Sequence, residues 1–126
     1  MASVPVPSEK RRLLWSLLGD LPARDRPTAV VKRGEEDRDG YVLETLELDL
    51  NGLEPVPAYL ARPHRAAGRS PAVLYNHSHG GAYPVGKTEL VEGRSFLQSP
   101  AYARLLTGLG CVVLCIDHWV FGERSH

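Results

Sequence analysis

Two unbroken apolar runs with a helical period between them constrain this chain more than any other feature. The first is Ala72-Val73-Leu74-Tyr75 and the second is Cys111-Val112-Val113-Leu114-Cys115-Ile116. Strands that are apolar at consecutive positions are expected inside a sheet covered on both faces. Between them Tyr102, Leu105, Leu106 and Leu109 recur at i, i+3, i+4 and i+7. Ser99 reads as the N-cap of that helix, Pro100 as its first residue and Gly110 as its stop. Strand, helix and strand then form a parallel pair joined by a right-handed crossover. The two strands end at His77 and at Asp117, on the same side of the sheet, where open α/β sheets carry their sites.

Upstream, Thr45 to Leu50 alternates strictly between polar and apolar residues, the mark of a strand with one buried face. Asn51-Gly52 signals a turn, and Val56, Ala58 and Leu60 form the apolar set of the returning strand. A two-residue loop would pair Leu48 with Pro55 and turn Val56 away from the buried side. An odd loop, such as Asn51 to Leu53, pairs Leu48 with Val56 and Leu46 with Ala58. The odd loop is expected, because a slip of one residue flips a whole strand face. Pro55 and Pro57 weaken one side of the start of this strand.

Near the N-terminus, Ser8 reads as an N-cap, with Glu9 in the first turn, Leu13, Leu14, Leu17 and Leu18 on one face, and Gly19 as the stop. Residues 1–39 are expected to hold this helix and a polar, irregular lead-in from Pro22 to Asp39. Within the lead-in, Lys32 to Asp39 reads as a solvated loop. Residues 40–126 are expected to form the sheet domain, with Pro63 to Ser70 a basic connector. The fold class is α/β: an antiparallel hairpin plus a parallel strand–helix–strand unit, with an N-terminal helix.

Lys plus Arg and Asp plus Glu each number 15, so the formal net charge is zero. That balance gives no electrostatic case for nucleic acid or an anionic membrane as partner. No segment approaches the roughly 18 apolar residues of a membrane span. Lys10-Arg11-Arg12 ahead of Leu13 to Leu18 imitates a signal peptide, but Asp20 interrupts the pattern and no small-x-small site follows. Cys111 and Cys115, four apart on a strand, have Cα atoms about 13 Å apart, beyond the roughly 7 Å a disulfide spans. Free thiols fit a reducing cytoplasm.

The chemistry concentrates at Asn76-His77-Ser78-His79-Gly80-Gly81, which opens a loop of roughly 20 residues. Loops of that length in a compact domain are usually functional or disordered. The stretch puts two imidazoles and two unhindered backbone N–H groups at one sheet edge. A metal reading gathers His77, His79, Asp117 and His118 at neighbouring strand ends, an imidazole and carboxylate set that suits zinc or iron. The bland reading is that Gly80 and Gly81 merely turn the chain.

The segment from Gly40 to His126 resembles the N-terminal part of the α/β-hydrolase superfamily, in its esterase and dienelactone-hydrolase-like branch. The resemblance rests on Leu50-Asn51-Gly52, the strand Ala72 to Asn76, His77-Ser78-His79-Gly80-Gly81, and Ile116-Asp117-His118-Trp119-Val120-Phe121-Gly122-Glu123. It implies a partial α/β-hydrolase sheet and hydrolysis of a small carboxylic ester or similar acyl bond, without a cofactor. It implies that His79, Gly80, Gly81 and Ala82 form the oxyanion loop, whose N–H donors glycine lets approach closely. His77, Asp117, Trp119 and Gly122 support that loop, Asp117 by fixing the segment that follows it. Trp119 and Phe121 line a substrate pocket or pack in the core.

The family's nucleophile sits in a Gly-x-Ser-x-Gly elbow followed by an acid and a histidine, and the chain contains no Gly-x-Ser-x-Gly. Ser78 lies in a His-x-His context rather than on an elbow, and Glu123 and His126 take no triad role. The expectation is a truncated or split hydrolase that does not cleave esters by itself. The family's strand order would leave Ala72 to Asn76 as an open apolar edge. A non-catalytic reading follows: self-association, or complementation by another chain, at that edge.

Overall fold

The computed structural model describes residues 8–21, 25–65 and 68–125. Its centre is a five-stranded sheet in the order β1-β2-β3-β5-β4. The strands are β1 (Ala29–Arg38), β2 (Tyr41–Asp49), β3 (Pro55–Pro63), β4 (Ala72–Leu74) and β5 (Val112–Ile116). The helices are α1 (Glu9–Leu17), α2 (Glu89–Glu92) and α3 (Tyr102–Gly108). Strands β1, β2, β3 and β5 run antiparallel in succession, and β4 pairs with β5 in parallel.

The β2–β3 hairpin has the odd loop that the side-chain parity requires. Leu46 lies opposite Ala58 and Leu48 opposite Val56, and the five residues between Asp49 and Pro55 make an odd loop. These four side chains form a buried cluster on one face, with Leu60, Leu114 and Ile116 against it. Tyr41, Leu43, Ala61, Val113 and Cys115 form a second cluster, which Leu90 of α2 and Ala103 of α3 complete. Both cysteines are free. Burial pushes the Cys115 thiol up to about 12, so it is a packing group rather than a nucleophile.

Several expectations fail, each for a physical reason. The charged stretch read as an irregular lead-in supplies a whole strand: β1 begins at Ala29. Pro22 to Arg24 of that stretch lie outside the described residues. Strand β1 is an edge strand with no fully buried residue, so apolar alternation does not mark it. Cross-strand ion pairs flank it instead, Arg33 to Glu47 at 2.9 Å and Lys32 to Glu44 at 3.5 Å, and charge on an edge discourages further pairing. Helix α3 starts later than its sequence suggests. Ala101 is the N-cap, and Leu105 N–H donates to its carbonyl at 3.1 Å.

The α3 face also turns. Ala103 and Thr107 are buried, Tyr102 and Leu106 pack beside them, and Leu109 is exposed. Strand β4 is covered on one face only: Val73 packs against the cluster that α2 and α3 complete, whereas Ala72 and Leu74, on the other face, are exposed. Strand β5 is buried only at Val113 and Cys115. Helix α1 forms with its Ser8 cap, the hydroxyl accepting from Arg11 N–H at 3.4 Å. Its leucines do not join a core; no residue of α1 is buried.

No helix among the described residues is long and apolar enough to cross a membrane.

Candidate functional site

The carboxyl ends of β4 and β5 lie side by side, as the parallel pairing requires. The loop after β4 runs to α3 and is not structureless, since it contains a 3₁₀ turn at Gly86–Thr88 followed by α2. The loop after β5 ends in a second 3₁₀ turn at Gly122–Arg124. Two sets of contacts join these loops, and a third braces the loop after β4 from within.

The first centres on Asp117, which is fully buried at the end of β5. Its Oδ2 accepts from Lys87 Nζ at 2.8 Å and from Glu123 N–H at 3.1 Å. Its Oδ1 accepts from Lys87 N–H at 2.6 Å. Lys87 is buried as well, and its ammonium also reaches Glu123. Burial would lower the lysine's pKa, but hydrogen bonds to Asp117 and Glu123 outweigh it and raise the value. Gly122 has φ of +55°, and a Cβ there would lie 2.2 Å from Asp117 Oδ1. Only glycine lets the chain pass so close to the carboxylate.

The second set is aromatic. His77 is buried, and its Nε2 accepts from His118 N–H at 3.2 Å. That bond places the ring's proton on Nδ1, whose neighbour is the Ser78 carbonyl at 3.3 Å. His77 packs on His118 and Phe121 with centroids 4.6 and 4.9 Å apart. His79 packs on Tyr83 and Phe121 at 5.4 and 5.2 Å. Tyr83 also accepts from Gly122 N–H at 2.8 Å through its carbonyl.

Val120 has φ of +65°, which is strained for a β-branched residue. It separates buried Phe121 from Trp119, which is 65% exposed. Of the two roles open for these aromatics, Phe121 packs inside. Trp119 lines a cavity of about 360 Å³ with Glu54, Pro55, Pro57, Glu123 and Arg124.

The third set lies beneath the loop. Glu89 of α2 is buried and accepts from Tyr75 Oη and Ser78 N–H, each at 2.8 Å, and from Ser78 Oγ. Arg94 Nε lies 3.3 Å from Glu89 Oε2. Above this group run Gly80, with φ of +45°, and Gly81, with φ of +71°. The N–H groups of Gly80, Gly81 and Ala82 donate to no acceptor among the described residues. Consecutive unpartnered backbone donors in left-handed geometry can receive an anionic oxygen.

The metal reading is corrected. Among the described residues no three His, Cys, Asp or Glu side chains are grouped to hold an ion. Asp117 turns both oxygens to Lys87 and backbone N–H groups, and His77 Nε2 is occupied by His118 N–H. Glu123 is engaged by Lys87, and His126 lies outside the described residues. The sequence reading missed Lys87, Glu89 and Arg94, because nothing in a loop's periodicity marks a buried charge.

No protein-family model matches the chain. It is 51% identical over 117 residues to the Bacillus subtilis (strain 168) protein named "Putative hydrolase YtaP", a match covering 93% of this chain and 39% of that one. The fold is shared with the crystal structure of a "putative acetyl xylan esterase" from Bacteroides fragilis NCTC 9343. There the TM-score is 0.58 at 18% identity, over 97% of this chain and 40% of that one. The chain thus spans about two fifths of the length of each of these proteins.

Proposed function

We propose that this chain supplies the oxyanion loop of a serine esterase of the α/β-hydrolase type, in the dienelactone-hydrolase-like branch, acting on a small carboxylic ester. The observation that carries the reading is the run of unpartnered N–H groups from Gly80 to Ala82 at the end of β4, beside the end of β5. The names of the Bacillus subtilis relative and of the Bacteroides fragilis protein support the reaction class.

In this reading a serine attacks the ester carbonyl, and the carbonyl oxygen becomes an anion. Donors held about 2.7–3.1 Å from that oxygen stabilise the tetrahedral intermediate, and losing one costs roughly 2.7–4 kcal/mol of barrier. Gly80, Gly81 and Ala82 offer these donors. His79, wedged between Tyr83 and Phe121, shapes the loop. His77, Asp117 and Gly122 hold the neighbouring loop in register, and Trp119 borders the open cavity. Nucleophile, acid and base come from outside these residues, since the chain has no Gly-x-Ser-x-Gly. Ser78 does not serve, because its hydroxyl donates to the Glu89 carboxylate rather than to an imidazole. The chain by itself is therefore inactive toward esters and works with a complementing segment paired along β4, in the cytoplasm, with no cofactor.

A chimera tests this. The matched segment of the Bacillus subtilis relative is replaced by this chain, and hydrolysis of 4-nitrophenyl acetate is compared with that of the unmodified relative. The chimera is expected to hydrolyse the ester, and Gly80→Val in it to lose activity roughly 100-fold or more. A folded chimera that is inactive beside an active parent, or a Gly80→Val chimera at full rate, would overturn the reading.

A further inference from the structure

We propose that Glu89, with Arg94 as its counter-ion, is the positioning residue that fixes the His79-Gly80-Gly81 loop in its donor geometry before any substrate arrives. This rests on the oxyanion reading above. The loop is pinned on both sides of His79. Before it, Ser78 gives its N–H and its hydroxyl to the two oxygens of Glu89. After it, a Cβ at Gly80 would fall 2.5 Å from Arg94 Nη1, so the guanidinium occupies the space of a Gly80 side chain. Arg94 is itself held, with its side chain 9% exposed, its Nε on Glu89 and its plane over the Phe96 ring at 5.4 Å. Tyr75, the first residue after β4, ties the same carboxylate to the sheet.

A carboxylate buried to 1% exposure is costly unless paired and hydrogen-bonded. Core packing alone would be served by an apolar residue. What a carboxylate adds is four fixed bonds to the two residues before the loop and the cation beneath it. Two consecutive left-handed glycines otherwise leave the loop free to rearrange, and an oxyanion donor contributes only when it is already in place. Burial would raise the Glu89 pKa, but the Ser78 and Tyr75 bonds and the Arg94 charge outweigh it and lower the value, so the carboxylate is ionised at neutral pH.

Backbone ¹⁵N relaxation on the 126-residue chain tests the assignment. In the unmodified chain the order parameters of Gly80 and Gly81 are expected near 0.85, and in Glu89→Gln below about 0.6. Leu46, Ala58 and Val113 in the sheet should stay rigid, and the Ser78 amide proton should shift upfield as it loses a charged acceptor. Arg94→Gln is read in the same way and loosens Gly80 even where Glu89→Gln fails to fold, while Arg94→Lys restores part of the order. Unchanged order at Gly80 and Gly81 in the folded variants, or loosening spread equally over the sheet, would overturn the proposal. The relaxation result does not depend on catalysis, so an inactive chimera with a Glu89-dependent loop would overturn the hydrolase reading alone.

Discussion

Lys87 Nζ and Asp117 Oδ2 stand 2.8 Å apart with both residues buried, and this pair joins the loop after β4 to the end of β5. Breaking a buried pair by removing one partner leaves an uncompensated charge, at a cost of about 3–5 kcal/mol. Lys87→Met is therefore expected to lower unfolding free energy by about that much, read from denaturant midpoints at constant slope. A loss under about 1 kcal/mol would mean that the pair does not hold the loops together.

Acid should loosen the site before alkali does. The pKa of His118 is lowered by burial, then by electrostatic interaction with the neighbouring His77 ring and by the Arg124 charge. A base with a depressed folded pKa binds fewer protons folded than unfolded, so its contribution is full above the ordinary 6.5 and is lost as pH falls through the folded value. Glu89, held below its ordinary 4.5, adds a second loss at lower pH by the same sign. The raised Lys87 pKa works the other way, its contribution fading only as pH rises past the ordinary 10.5. Thermal midpoints should decline between pH 7 and 5, and His118→Gln should flatten that decline. An unchanged slope in the variant would contradict the assignment.

The open edge should make the chain associate. Pro71 carbonyl and Tyr75 N–H bond to β5, so the alternating groups of Ala72 and Leu74 face outward, with Leu74 62% exposed. Such an edge templates pairing with another strand. Light scattering is expected to give a molar mass above the monomer's 13.9 kDa, rising with concentration. Leu74→Lys should return it to that value, because charge guards an edge. A monomer at high concentration without the substitution would count against pairing at β4.

Local pattern carried the parts of the fold that it governs. Leu46, Leu48, Val56 and Ala58 alternate, so their register was legible and is observed. His77 and Asp117 fall together because a parallel crossover demands it. Strand β1 was not legible, since its backbone ladder to β2 holds it and it has no apolar face to bury. Helix α3 buries Ala103 and Thr107 because close packing on the sheet favours small side chains there, whereas leucine spacing pointed to Leu105 and Leu109. In the site, Gly80 and Gly81 were visible as an unusual pair. Glu89 and Arg94, 11 and 16 residues beyond Ser78, were not, since only the folded loop brings them beneath it.

On the proposed reading these residues provide oxyanion donors and no nucleophile. Reaction of the purified chain with a fluorophosphonate serine probe, read by intact mass, tests it most directly. An unchanged mass after prolonged incubation is expected. Stoichiometric labelling of one serine, Ser78 or any other, would contradict it.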